Sequence, residues 1–387
     1  MTKTFVAHTY EMNDTELAVS QIKEQLKLNE NLLQNSIGVV SCHHEFVLSG
    51  VTKAVGEALP FDVIGAVSTA QSDGENADAK LFTIMLITSD TVDFVNVVTT
   101  SLEKNPDKAI TECYKEAAIG RYGRPSLILT YAPFIIQNSV DDYVASLSKA
   151  SYGAPLFGTV AMGDISDFAH FYTIFNGEHY PDKIVMSLFF GSVRPKFYIA
   201  NISIDNLVGD GAKISKSRGP VIMEINERPV FEFLQERDFI NENGTMVSMD
   251  SYPFFVDYHD NTPMVARTIH NLTPERFIMC GGTIPENSTI FVATNEKDDM
   301  LKTTGSALES IVADAENACG LIIYSCLSRF LAMGETPFDE MQLVNSKING
   351  KFPMLMATAG GEICQTTTLN EKSINRFHNN TFIACLF

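Results

Sequence analysis

The chain has 387 residues, of which 45% are apolar and 19% charged, the composition of an ordinary globular protein long enough for more than one core. With 28 Lys and Arg against 47 Asp and Glu it carries a net charge of −19, and the basic residues are scattered. A surface of that sign repels phosphate backbones and anionic lipid, which argues against nucleic-acid binding.

No apolar run reaches the length of a membrane span, so no membrane insertion is expected. Residues 1–13 lack the basic and apolar regions of a secretory signal. Seven cysteines, an odd number without a C-x-x-C pair, are expected to be reduced thiols of a cytoplasmic protein.

In chain order, Asp14 or Thr15 caps a predicted helix over 16–31, with Leu17, Val19, Ile22 and Leu26 on its apolar side. A strand over 37–40 then ends at Ser41-Cys42. A helix over 46–59 and a second strand over 60–65 follow, running into the small-residue loop Ala66-Val67-Ser68-Thr69-Ala70. The same order recurs with a strand at 126–131, a helix at 140–151 and a strand at 155–158 that enters Thr159-Val160-Ala161-Met162-Gly163-Asp164. It recurs again with a strand at 321–325, a helix at 333–345 and a strand at 351–356 that enters Ala357-Thr358-Ala359-Gly360-Gly361-Glu362. Further strands are expected at 81–88, 171–175, 184–190 and 381–387. The glycine-bearing stretch 201–220 reads as a domain boundary, 221–226 as a strand, 230–236 as a helix opened by Pro229, and 252–291 as a β meander.

These repeats predict an α/β (α+β) protein of two domains, mixed β-sheets with helices on the outer faces, built from strand–helix–strand units. The expected division is an N-terminal helical segment at 1–35 and domains at 36–215 and 216–387. If each unit is a right-handed parallel crossover, both of its strands end on one sheet edge, where ligands of open α/β sheets gather. That topology collects Cys42, Ser68, Thr69, Asp164, Cys326, Arg329, Gly361 and Glu362 on related edges.

Arg329 can bind both oxygens of a carboxylate, and Glu362, on a glycine loop, can receive an ammonium; at opposite ends of one site they would hold a zwitterion. The bland alternative is that each is a structural ion paired with a neighbour. Cys326, three residues before Arg329, is a thiolate candidate or a buried inert thiol. His378, with Asn379 beside it, caps a ligand or bonds the backbone. Cys42-His43-His44 cannot jointly hold an ion on a strand, because alternate residues point to opposite faces unless the chain bends; one histidine could still be an axial haem ligand. H-E-x-x-H, G-x-S-x-G and a Gly-Lys-Ser/Thr phosphate loop do not occur, so zinc proteases, serine hydrolases and P-loop ATPases are not expected.

The segments 224–234, Ile284-Pro285-Glu286-Asn287, Tyr324 to Arg329, Gly361-Glu362-Ile363 and Phe377-His378-Asn379-Asn380-Thr381 resemble the FIST sensory domains. These occur in bacterial signal-transduction proteins and in some eukaryotic F-box proteins. Ile64 to Thr69, and Phe157 to Asp164 with Phe175-Asn176-Gly177, resemble the N-terminal half of that family. Ser328 stands where C-x-G-R has glycine, Glu227 where N/D-G has glycine, and Ala70-Gln71 where Gly-Glu is usual. The resemblance implies FIST N and FIST C domains in a sensor of a small-molecule ligand, an amino acid or related metabolite. The sensor would have no catalytic reaction and no cofactor, and would signal through a separate histidine kinase or chemoreceptor. The alternatives are a haem-binding nitric oxide sensor and a protein-interaction scaffold. The ligand-binding residues would be Arg329, Glu362, Cys326, Gly361, His378, Asn379, Ser68, Thr69 and Asp164.

Overall fold

A computed structural model describes residues 1–135, 138–164, 166, 169–247 and 252–387. Three parallel strand pairs organise it: Asn35–Cys42 with Asp62–Val67, Leu127–Ala132 with Leu156–Val160, and Leu321–Cys326 with Met354–Ala359. Both strands of each pair therefore end on one edge, as the repeats imply. The first strand of each pair is flanked by an antiparallel strand, Phe82–Ser89, Val185–Gly191 or Phe382–Leu386. Beyond that lies a further antiparallel strand, Thr2–Thr9, Val92–Val98 or Lys196–Ala200. The three six-stranded sheets thus share one plan.

Each unit gives away its terminal hairpin. The hairpin of the first unit, Gln71–Ser72 with Ala77–Asp78, pairs with Met354–Ala359 of the third. The second unit's Thr173–Phe175 and Glu178–Tyr180 extend the first sheet, and the third unit's Glu362–Thr367 and Ser373–His378 extend the second. The exchange is cyclic, so no sheet is complete without another unit.

Strand alternation explains the layering. In Leu127–Ala132, Leu127, Leu129 and Tyr131 face a common central core, while Ile128 and Ala132 face the helices Pro106–Ala117 and Val140–Ala150. In Leu321–Cys326, Ile322 and Tyr324 face the same centre, while Leu321 and Ile323 face Lys297–Ala313 and Asp339–Ile348. The Tyr324 hydroxyl bonds that of Tyr131 at 3.0 Å in this core. Sheets buried on both faces need near-continuous apolar strands, and these strands are such.

Several expectations are revised. The first helix is Thr15–Leu26, capped by Asp14 through the Leu17 N–H, and it buries Ala18, Ile22 and Leu26. Leu17 is exposed, and left-handed Lys27 (φ 45°) separates off Leu28–Asn31. The helix expected over 46–59 is two, His44–Leu48 and Val51–Ala58, interrupted at left-handed Gly50. The helix expected over 333–345 is Asp339–Ile348, and a separate short helix that was not expected, Leu327–Ala332, lies before it, with Gly334 at φ 64° between them.

The stretch 201–220, read as a domain boundary, is largely strand. It contains the 12-residue strand Leu207–Arg218, whose register slips between Val208 and Ala212 to accommodate Gly209-Asp210-Gly211. The 215/216 division falls inside this strand. The meander is present, and its outermost strands, Val265–Arg267 and Ile269–Leu272, are separated in sequence by Thr268 alone. This sheet almost closes on itself at Thr268. Among the described residues no helix is long and apolar enough to cross a membrane.

Candidate functional site

A cavity of about 470 Å³ opens where the second unit, the third unit and the seam of the meander meet. Phe134, Val160 and Met162 come from the second unit, Cys326, Leu327, Ser328 and Gly360 from the third, and Thr268, Met279 and Gly281 from the meander. The wall is largely apolar with a few polar groups, the usual make-up of a small-ligand site. Its polar side is a network at the seam: Thr268 Oγ1 lies 3.3 Å from Ser328 Oγ and accepts from Asn380 Nδ2 at 2.9 Å. Asn380 Oδ1 accepts from Asn295 Nδ2 at 2.7 Å. Asn379 lines the cavity, and its buried Oδ1 has no hydrogen-bond partner among the described residues.

A second, more open hollow of about 560 Å³ lies beyond Phe377, which borders both. Its charges are already spent. Arg376 pairs with Asp260 at 2.5 Å, and Asp141 pairs with the fully buried Arg267 at 3.0 Å. Arg267 also donates to the Phe377 carbonyl at 2.9 Å, tying the meander to the exchanged hairpin. Paired charges there leave less for a ligand than the acceptor left open on Asn379.

Arg329 does not reach the cavity as a carboxylate anchor. Cys326 ends its strand in extended geometry and the chain turns at once into Leu327–Ala332, which carries Arg329 inward to 0% exposure. There Nη2 pairs with Glu340 at 2.6 Å and donates to Thr304 Oγ1 and the Met300 carbonyl, while Nε donates to Glu340 at 3.1 Å. Burial alone would raise the Glu340 carboxyl. The Arg329 charge, with hydrogen bonds from Arg329, Ser325 and Thr304, outweighs it and holds Glu340 below its usual range. The ion-pair alternative for Arg329 therefore describes its geometry, although Nη1 makes no hydrogen bond among the described residues.

Glu362 is fully buried, and among the described residues neither carboxylate oxygen makes a hydrogen bond of ordinary geometry, although the Cys326 thiol and the Thr381 backbone lie near it. Burial raises its pKa well above the carboxylate range, which Cys326, the Thr381 backbone and the Arg329 charge offset only in part. Burial thus favours its neutral form. Burial and then Glu362 push the Cys326 thiol far above its ordinary value, so it lines the cavity as an inert group rather than a thiolate. His378 is buried behind the cavity, and burial, then Arg267 and Arg376, lower it to about 3.

The remaining candidates divide by location. Gly361 has φ 135°, and a Cβ there would lie 2.5 Å from the Phe377 ring, so only glycine lets the loop pass. Ser68 and Thr69 are stitches between units: Ser68 Oγ lies 2.8 Å from Thr358 Oγ1, and Thr69 Oγ1 donates to the Gly163 carbonyl at 3.1 Å. Asp164 stands apart, beside His43 and His44. Thr268, Arg267 and Phe134 were missed from the sequence. The Arg267-Thr268 pair directly after the apolar run Met264-Val265-Ala266 is the signal that could have drawn notice.

The model of the FIST N domain matches residues 36–228 and that of the FIST C domain matches residues 232–365. The chain belongs to the FIST family. FIST domains are associated with sensing in signal transduction. No curated protein matches it. Among solved structures, cyanuric acid hydrolase from A. caulinodans aligns over 100% of this chain and 99% of its own, at 7% identity and a TM-score of 0.37. That likeness is too distant to bear on fold or activity.

Proposed function

We propose that this protein is a non-catalytic sensor that binds an amino acid or related amine-bearing metabolite in the cavity at the Thr268 seam. The observation that carries the reading is the buried Oδ1 of Asn379, without a hydrogen-bond partner among the described residues, on a largely apolar wall whose polar side is the Thr268 and Ser328 hydroxyls. A buried acceptor without a donor costs about 1–3 kcal/mol, which an ammonium or amide N–H of a ligand would recover. With Arg329 engaged by Glu340, the acidic end of such a ligand would be met by the Thr268 and Ser328 hydroxyls. Ser328, in place of the family's glycine, narrows the cavity by one side chain and favours a small ligand. The inert Cys326 thiol fits binding rather than turnover.

Because three substructures meet at the cavity, occupancy would stiffen their junction, the form in which a sensor could report to a partner. That partner would be a separate histidine kinase or chemoreceptor in a bacterial cytoplasm. A thermal-shift screen over amino acids and small amines tests the reading. A ligand at a hundred times its dissociation constant adds about 2.7 kcal/mol, and Asn379→Ala should abolish that gain. If no amino acid or amine raises the melting temperature, the reading fails.

A further inference from the structure

The geometry points to a divalent transition-metal site, of the kind that takes Zn²⁺, formed by His43, His44 and Asp164. One ligand atom from each of the three lies within 4.8 Å of the others. A tetrahedral site with bonds of about 2.0–2.1 Å places its donors about 3.3 Å apart, so shifts of about 1 Å, well within rotamer adjustment, would close it.

The local fold explains why two adjacent histidines converge. The strand ends at Cys42, His43 is extended (φ −66°, ψ 148°), and the helix begins at His44. This bend at the strand–helix switch removes the alternation that would send the two imidazoles to opposite faces, and their ring centroids lie 4.2 Å apart. Cys42 stays out of the group, its sulfur turned to Thr52 Oγ1 at 3.8 Å.

The third ligand is held from both sides. Asp164 bridges to Ala169, and Gly163 packs so closely against the Ala169 carbonyl that a Cβ would sit 1.9 Å from it. Thr69 ties the same loop to the first unit through the Gly163 carbonyl. The site therefore spans two units and would clasp them together.

The surroundings suit metal-binding imidazoles. His170 stacks on His44 at 4.6 Å and 12°, and its Nδ1 lies 3.0 Å from the Tyr172 hydroxyl. His43 Nδ1 accepts weakly from the Glu45 N–H at 3.4 Å, a contact the ring gives up on binding the ion, while the Glu45 carboxylate is held by Lys80 at 2.8 Å. Two imidazoles and one carboxylate are the ligand types of open zinc sites, with the fourth position left to water or an exogenous ligand. Both histidines are buried, while Asp164 is partly open to solvent and provides the way in.

Untagged full-length chain, stripped with chelator, should take up one Zn²⁺ per chain by calorimetry and show the visible d–d bands of low-coordinate Co²⁺. Asp164→Asn and His44→Gln should each weaken Zn²⁺ by about tenfold or more and bleach the Co²⁺ bands. His259→Gln, a histidine that pairs with Asp257 in the meander, should bind as the parent does. Asp164 is partly exposed, so its variant should keep the parent's unliganded melting temperature and remain interpretable if His44→Gln does not fold. No stoichiometric uptake, or uptake that survives Asp164→Asn, overturns the site.

Discussion

Arg329 and Glu340 form a buried pair whose polar atoms are nearly all spent on one another and on Ser325, Thr304 and Met300. Removing one member strands the other's charge. Arg329→Ala and Glu340→Ala should each cost about 3–5 kcal/mol by denaturant titration, and the double variant clearly less than their sum. Glu362 works in the opposite sense. Its native pKa lies above the unfolded value, so above about pH 4.3 the native state holds a proton that the unfolded chain has lost, and stability falls as pH rises. Glu362→Gln should therefore melt higher than the parent at pH 8 and match it at pH 4. His378 has a native pKa of about 3, so below its unfolded value near 6.5 the unfolded chain binds the extra proton and stability falls with pH. His378→Leu should remove up to about 5 kcal/mol of that acid loss, read as a flatter stability curve between about pH 6.5 and 3.

At the scale of elements, short helices directly after strands decide where reactive groups end up. Leu327–Ala332 carries Arg329 into the core and leaves Ser328 on the cavity, while His44–Leu48 brings His43 and His44 together. Glycines in the second strand of the first two pairs set how closely strands approach. A Cβ at Gly158 would sit 1.7 Å from the Thr130 carbonyl, and one at Gly65 1.9 Å from that of Val40. Gly158→Ala should thus force the parallel pair apart at the mouth of the cavity. The expected result is a melting temperature lower by several degrees and a weakened ligand gain in the thermal-shift assay. Ser328→Gly should leave stability nearly unchanged but shift preference toward bulkier amines, because it removes only a hydroxymethyl group and its contact to Thr268.

For the molecule as a whole, the cyclic exchange of hairpins predicts cooperative folding. A fragment of residues 1–230 would lack Glu362–His378 from its second sheet and would have no sheet for Gln71–Asp78 to join. It should not give a sharp calorimetric transition alone, whereas co-expression with 231–387 should restore one. Full-length chain should unfold in a single transition rather than in two at the family-model boundary.

The three repeated units and their strand ends were legible because a strand buried on both faces must be almost continuously apolar, and few other segments are. The meander was legible for its alternation. The break at Gly50 was not, since the apolar pattern continues across it and only φ reveals it, nor was the short helix Leu327–Ala332, which follows its strand without a turn signal. The long strand at 207–218 was hidden by its glycines and charges, which read as a domain boundary. The partner of Arg329 was out of reach for a different reason: Glu340 lies on a separate helix, and charge pairing across a tertiary contact leaves no spacing signal.

Taken alone, the sequence determined the family, the α/β class, the repeated units and the edge on which the chemistry would gather. Those follow from local periodicity and short motifs. The tertiary structure decided which candidates share a site. It withdrew Arg329 into an ion pair and made Ser68 and Thr69 into stitches. It left Cys326, Ser328 and Asn379 on the cavity with Thr268 opposite, and set Asp164 beside two histidines. Side chains separated by a hundred residues meet only through the exchange of hairpins and the closing of a sheet, and neither is written in any one segment.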